Sequence, residues 1–289
     1  MLNKTVLIFA IAVFMVLFAC KEEKHGIVYT VPEKPLLDTT YTVLSIPAAQ
    51  NHDVLLFDVT GVRCVNCPDA AKLARKIADT LHPGRVTVVA IYPESPGLGP
   101  NVWPWAGYDT MSSSDAESIN QYLGGAASLP TGAVDQIMVS GSRLINRNVW
   151  ISNVDKRLTF ANPLNINITT SWDNLKNQGR LDAKVTYTGD VATKNLIFIG
   201  ILESKVIGKQ SETKGEILNY EHNHALRKLY TAGTGDTLKA DLKAGRVFEK
   251  QYYIRPRYNW NPKNLDAVVW VVDATSKEVL QVAHAKMQP

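Results

Sequence analysis

The residues best suited to chemistry in this chain are Cys64 and Cys67, two residues apart in the stretch GVRCVNCPDA. A Cys-x-x-Cys pair can be a dithiol–disulfide couple, half of a tetrahedral metal site, or a small structural disulfide. A zinc site needs four ligands, usually a second such pair or two spaced histidines, and the chain has three cysteines and no second pair. A structural disulfide suits an exported protein, but so small a loop constrains the unfolded chain little. The redox reading has a mechanism. Placed at or just before a helix N-terminus, Cys64 would be held as thiolate by free N–H groups and the helix dipole. Cys67, one turn inside, would be the resolving thiol, and Arg63 would add positive charge beside the nucleophile. A redox-capable pair is the preferred reading, with an inert staple as the alternative.

A second cluster is Glu221-His222-Asn223-His224. On a strand His222 and His224 point to one face, while Glu221 faces the other way. With no third ligand in view, a surface pair bonded to a loop is preferred to a metal site. Gly233-Thr-Gly-Asp236 is too short and wrongly placed for a phosphate loop, so neither cofactor nor metal is expected.

The elements that position the cysteines follow from periodicity. Val54-Leu55-Leu56-Phe57 is a continuous apolar run, the mark of a strand buried on both faces. After Cys67, Pro68 suits a first helical turn, and apolar residues recur at helical spacing from Ala70 to Leu81. His82-Pro83-Gly84 stops that helix, and residues 86–92 form a second buried strand, giving a βαβ unit with a parallel pair. Residues 93–105 read as a loop, and Trp103 and Trp105, with Tyr108 further along the same connection, offer an aromatic rim or local packing. Ser114 to Leu123 is a helix with capping-type residues, stopped by Gly124-Gly125. Residues 131–136 and 138–145 read as a hairpin, and 147–159 as a last helix. From residue 160 the pattern changes to short alternating runs: 164–170, 181–188, 196–205, 250–257, 267–273 and 281–285. With turn signals between them, these predict an antiparallel β-sandwich of roughly seven strands, Ig-like in size, with Trp172 and Trp270 as packing residues.

The order β-CxxC-α-β-α-β-β-α resembles a thioredoxin fold. The resemblance extends to Asp58, six residues before the first cysteine, where thioredoxins carry a buried acid that relays a proton. Leu129-Pro130-Thr131 similarly matches the cis-proline that faces the disulfide and shapes the substrate groove. Arg63 stands where thioredoxins have tryptophan, and Val65-Asn66 replaces their Gly-Pro. The whole mature chain resembles the outer membrane protein 28 family of Bacteroidota lipoproteins, through LLFDVTGVRCVNCPDA, LPTGAVDQ, YEHNHALRKLY and VVDATSKEVLQVAHAK. That resemblance implies a thioredoxin-like domain followed by a small β-sandwich, and no settled activity.

The N-terminus indicates the compartment. Lys4 precedes an apolar run from Val6 to Ala19, too short for a membrane-spanning helix and suited to a secretory signal. It ends in Leu17-Phe18-Ala19-Cys20, which resembles a lipobox, so Cys20 is the expected acylated residue and membrane anchor. Lys21-Glu22-Glu23 looks like a surface-export signal. The expected organisation is a signal peptide (1–19), a tether (20–45) that ends in an edge element near 41–44, a thioredoxin-like domain (46–160) and a β-sandwich (161–289). The 289 residues are 45% hydrophobic and 20% charged, with a net charge of +4. That charge, evenly spread, excludes a nucleic-acid footprint. Two functions remain: an envelope thiol-disulfide oxidoreductase acting on protein thiols or disulfides, through Cys64, Cys67, Asp58 and Pro130, or a non-catalytic surface lipoprotein that binds an outer-membrane partner and keeps the disulfide as a support.

Overall fold

The computed structural model describes residues 34–287. The expected signal, the lipidation site Cys20 and the Lys21-Glu22-Glu23 motif lie outside these residues. The first half of the described chain runs β1 (Leu37–Thr42), β2 (Val54–Val59), α1 (Cys67–Arg75), β3 (Val86–Ile91), α2 (Ser114–Tyr122), β4 (Thr131–Val134) and α3 (Trp150–Arg157). Every residue of β2 and β3 is buried, which is why both read as unbroken apolar runs. They pair in parallel, Val54 with Val86 through Val59 with Ile91, and α1 supplies the crossover. On the other edge of β2, β4 pairs antiparallel.

Several boundaries differ from the sequence reading. The edge strand lies at β1 rather than at 41–44. Helix α1 does not continue as α-helix to Leu81: residues 76–81 form a π-helical turn, with the His82 N–H donating to the Ile77 carbonyl. The expected loop after β3 contains a 3-10 segment, Pro96–Val102. The hairpin after Pro130 has only one regular limb. Asp135 and Gln136 adopt φ of 45° and 56°, and the return limb touches β4 through a single bridge, Gly132 with Ile145. The chain turns there because Asp135 is drawn inward, accepting from the Leu55 N–H at 2.8 Å and the Arg157 Nε at 2.8 Å.

The second half is β5 (Leu164–Asp173), β6 (Gln178–Tyr187), β7 (Asn195–Glu203), β8 (Val206–Glu212), β9 (Gly215–His222), β10 (Ala225–Leu229), β11 (Asp236–Thr237), β12 (Arg246–Ile254), β13 (Leu265–Asp273) and β14 (Val279–Lys286). The molecule is therefore mostly β, built from open stacked sheets. One sheet has the order β1-β12-β6-β5; the other runs β14-β13-β7-β10-β3-β2-β4, with β11 beside β7; β8 and β9 form a separate hairpin. The change of element type near residue 160 is as the sequence reads, yet the larger sheet draws strands from both sides of it. The seam is the pairing of β10 with β3 at Ala225 and Ala90, where the Ala90 N–H donates to the His224 carbonyl at 2.8 Å.

Strand β7 shows how the layers share material. Ile197, Ile199 and Ile201 face the interior between the two sheets, beside Leu181, Val185 and Tyr252. Phe198 and Leu202 face the opposite side, where they join Leu55, Phe57 and Val89 of the first half and Ile119 of α2. Trp270 of β13 is the centre of that second cluster, stacked on Phe198 at 4.8 Å and edge-on to Phe57 at 5.8 Å.

Candidate functional site

The CxxC loop leaves the C-terminal end of β2 and enters α1. Cys64 and Cys67 are joined as a disulfide. Cys64 precedes the helix in a turn, its N–H donating to the Gly61 carbonyl at 3.1 Å. Cys67 is the first helical residue rather than one turn inside, with Pro68 behind it in the first turn. Both sulfur-bearing residues are covered, Cys64 at 3% exposure and Cys67 at 1%. Neither sulfur is open to solvent, while Val65 between them stands 47% exposed.

Two elements supply the cover. On one side lies the loop after β3. Gly61 must be glycine because a methyl there would stand 2.4 Å from the Asn101 carbonyl oxygen. Arg63 is spent on the same loop: its guanidinium donates to the Trp103 carbonyl at 3.1 Å and the Pro104 carbonyl at 2.9 Å, and lies over the Trp105 ring at 3.8 Å. It is thus a clamp for the aromatic loop rather than a charge beside the nucleophile. Trp105 is tied down, its indole N–H donating to the Val62 carbonyl at 3.3 Å, whereas Trp103 stays 54% exposed.

On the other side lies the β8–β9 hairpin from the second half of the chain. Gln210 is buried and its amide donates to the carbonyls of Gly61 at 3.2 Å and Cys64 at 3.0 Å. The Ser211 N–H donates to the Val62 carbonyl at 2.9 Å. These three bonds to carbonyls hold a surface hairpin against the CxxC loop.

Beneath the disulfide is a small cavity of about 20 Å³, walled by Asp58, Cys67, Tyr92, Gln210, Tyr220 and His222. Asp58, at the end of β2, is 2% exposed and its Oδ1 has no hydrogen-bond partner among the described residues. Burial pushes its carboxyl up to about 7, against a smaller opposite pull from the Arg147 guanidinium. Such an acid keeps its proton near neutrality and can give it away. The peptide between Leu129 and Pro130 is cis. The Leu129 side chain adjoins Gly61, so this turn lies beside the CxxC loop.

His222 and His224 do not share a strand face. His222 ends β9 and is buried, while His224 lies past the strand end with φ of 58°. Among the described residues no group of three or more His, Cys, Asp or Glu side chains could hold a metal. Burial instead pushes the His222 ring down to about 4, so it is neutral, and its Nδ1 meets the Tyr92 hydroxyl at 3.0 Å. Sequence reading missed Gln210, Tyr92, Tyr220 and Arg147. On the side of the second half of the chain, only the histidine spacing drew attention to the cavity wall, and for a different chemistry.

A profile of the outer membrane protein Omp28 family matches residues 116–289, more than half of the chain. The chain belongs to the Omp28 family. Its location is accordingly the outer membrane, and among the described residues no helix is long and apolar enough to cross a bilayer. Among solved structures, HBP35 of Porphyromonas gingivalis is similar with a TM-score of 0.63 and 16% identity, over 83% of this chain and 77% of that one. At that identity the likeness is one of fold. A domain of the outer membrane lipoprotein Omp28 from Porphyromonas gingivalis aligns at 19% identity over 44% of this chain and 90% of that chain, with a TM-score of 0.31. A search of curated protein sequences finds no match. The Omp28 match begins at α2, so the cysteine pair and Asp58 precede it, while Pro130, Gln210 and His222 fall inside it.

Proposed function

We propose that this Omp28-family protein is a lipid-anchored thiol-disulfide oxidoreductase of the cell envelope, with a thioredoxin-like domain at 46–160 and an Ig-like β-sandwich at 161–289. The observation that carries the reading is Asp58: a buried carboxyl pushed up to about 7 beside Cys67, in a cavity that a purely structural disulfide would not need. An incoming thiolate attacks Cys64 Sγ, the S–S bond breaks, and the electron pair leaves on Cys67 Sγ. Asp58 then supplies the proton that Cys67 takes up. The helix N-terminus at Cys67 and Pro68 favours negative charge on sulfur. Protein thiols or disulfides are the substrate class, and Pro130 borders the surface that would receive them.

The alternative is a non-catalytic surface lipoprotein whose disulfide supports a binding face. It is favoured by the burial of both cysteines under the β8–β9 hairpin. Trapping separates the two. In the oxidoreductase, Cys67→Ser leaves Cys64 as a lone, acidic thiol that accumulates mixed disulfides with envelope proteins. Its alkylation midpoint lies below the ~8.5 of a free cysteine. If that variant traps nothing, and the native pair has a potential below about −300 mV, the binding reading stands instead. The anchor is Cys20 on this reading, after a cleaved signal at 1–19, and Lys21-Glu22-Glu23 directs the body outward. Loss of acyl labelling in Cys20→Ala, and protease access in whole cells, are the corresponding measurements.

A further inference from the structure

The cavity beneath Cys67 contains a mismatch that the oxidoreductase reading does not use. Asp58 Oδ1 and His222 Nε2 both line it, both are buried, and neither has a hydrogen-bond partner among the described residues. Their chemistry is complementary. The Tyr92 phenol is pushed well above its usual range, by burial first and then by Asp58 and Tyr220, so it stays protonated. It therefore donates to His222 Nδ1, across 3.0 Å. A neutral imidazole that accepts at Nδ1 keeps its proton on Nε2. The result is an N–H donor without an acceptor and a carboxyl oxygen without a donor, in one cavity of about 20 Å³. That is the room of about one water molecule, which requires two to four polar partners.

The ring is held in place from every side. Tyr220 stands edge-on at 4.7 Å and Tyr92 at 5.8 Å. On β8, Gly208 leaves open the space beside Nε2, since a methyl there would stand 3.0 Å from it. The charged groups around the pair are few. Asp58 feels Arg147, whose guanidinium is engaged by the Asn66 carbonyl at 2.9 Å. His222 feels Asp109 and Arg227, which are paired with each other at 2.7 Å. Arg75, Glu221 and His224 stand at the cavity wall. Past Arg75 and Asn223 the wall is shared with an open cleft of about 530 Å³.

We propose that His222, contributed by the sandwich half of the chain, is a positioning residue for the cysteine chemistry: its Nε2–H and Asp58 hold one water between them, and this bridge stabilises the Asp58 carboxylate left behind when Cys67 takes its proton. The step balances with a dithiol as the external reductant. One of its thiolates bonds to Cys64 as the Cys64–Cys67 bond breaks, and the proton passes from Asp58 to the Cys67 sulfur. The second thiol of the reductant then attacks the mixed disulfide and releases Cys64 as thiolate. Solvent reprotonates Asp58 through the bridging water. The proposal rests on the oxidoreductase reading for its purpose, though the Asp58–His222 bridge itself does not.

The test is a carboxyl ¹³C NMR titration of Asp58 in the full chain, alongside the rate of disulfide reduction by dithiothreitol. His222→Phe keeps the ring and removes the donor, and His222→Gln keeps a donor. The Phe variant should raise the Asp58 midpoint by about one unit, since a hydrogen bond to the charged form is lost. It should also slow reduction several-fold, with Gln restoring most of both. Tyr92→Phe, which keeps the ring at the wall and removes only the hydroxyl that fixes the His222 tautomer, should move the midpoint in the same direction and serves if the ring variants misfold. An Asp58 midpoint identical in wild type, His222→Phe and Tyr92→Phe overturns the bridge, and so does a Gln variant no better than Phe. A Cys67→Ser variant that traps nothing, with the midpoint shift intact, would remove the oxidoreductase reading and leave the bridge. Trapping without the shift would do the reverse.

Discussion

Asp58 illustrates how one side chain can set both chemistry and stability. Its folded value of about 7, against 3.8 when free, means that the folded chain holds a proton the unfolded chain has released between roughly pH 4 and 7. Stability from this group is therefore full below about pH 4 and is lost as pH rises to 7, by about 4 kcal/mol in all at ~1.36 kcal/mol per unit. His222 acts in the opposite sense. Its value falls from 6.5 to about 4, so its contribution grows as pH rises through the same window. Wild type should thus show a shallow net slope, and Asp58→Asn a rising one as His222 acts alone. Urea midpoints of the oxidised protein from pH 4.5 to 7.5 measure this, and parallel curves for the two proteins would refute the buried-acid assignment. The acid and the cysteines were legible because their spacing matches a known pattern. The partners of that acid were not, since Tyr92, Tyr220 and His222 are brought together only by the tertiary fold. Arg63 was misread for the same reason: adjacency in sequence gave it to the sulfur, while geometry gives its guanidinium to the Trp103 and Pro104 carbonyls.

At the scale of elements, legibility followed burial. Strands β2 and β3 are covered on both faces, so their apolar runs announced them, whereas β7 and β13, read as alternating runs, are also covered on both faces. Helix α2 carries its own start signal, the Ser113 hydroxyl accepting from the Ala116 N–H at 3.0 Å. Strands β8 and β9 escaped notice because VIGKQSE and GEILNYEH are largely polar and half-exposed. They gain their purpose from what they cover. Gln210 holds the hairpin to the CxxC loop, and an opened hairpin is the simplest way for a substrate to reach Cys64 at 3% exposure. Gln210→Ala removes both side-chain bonds and should lower the cost of opening by ~1–3 kcal/mol. Reduction by dithiothreitol should then accelerate on the order of tenfold. Hydrogen exchange at the Ser211 amide should rise in step, because that amide donates to the Val62 carbonyl. Faster exchange at Ser211 with an unchanged reduction rate would mean the hairpin is not the gate.

Across the whole molecule, the two halves read from the sequence share one sheet and one of its apolar clusters. Trp270 belongs to the second half by sequence, yet it packs on Phe57 of the first and is fully buried. A buried polar knot adds a second tie. Asp135 accepts from Arg157 at 2.8 Å and meets His52 Nε2 at 2.6 Å, while Arg157 also donates to the Val279 carbonyl of β14 at 2.8 Å. Breaking such a buried charge pair by removing one partner leaves a desolvated charge behind, a loss of ~3–5 kcal/mol. Chain of this kind should unfold as one unit despite its two architectures. The expected result is a single urea transition, coincident when followed by alkylation of buried Cys64 and Cys67 under reducing conditions and by the β-sheet circular dichroism signal. Trp270→Ala empties the shared cluster and should cost ~3–5 kcal/mol. It should shift both probes together, even though the substitution and the cysteines lie in different halves. A displaced circular dichroism transition with cysteine exposure unmoved would show instead that the halves are independent domains, and that the second half covers the CxxC loop by contact alone.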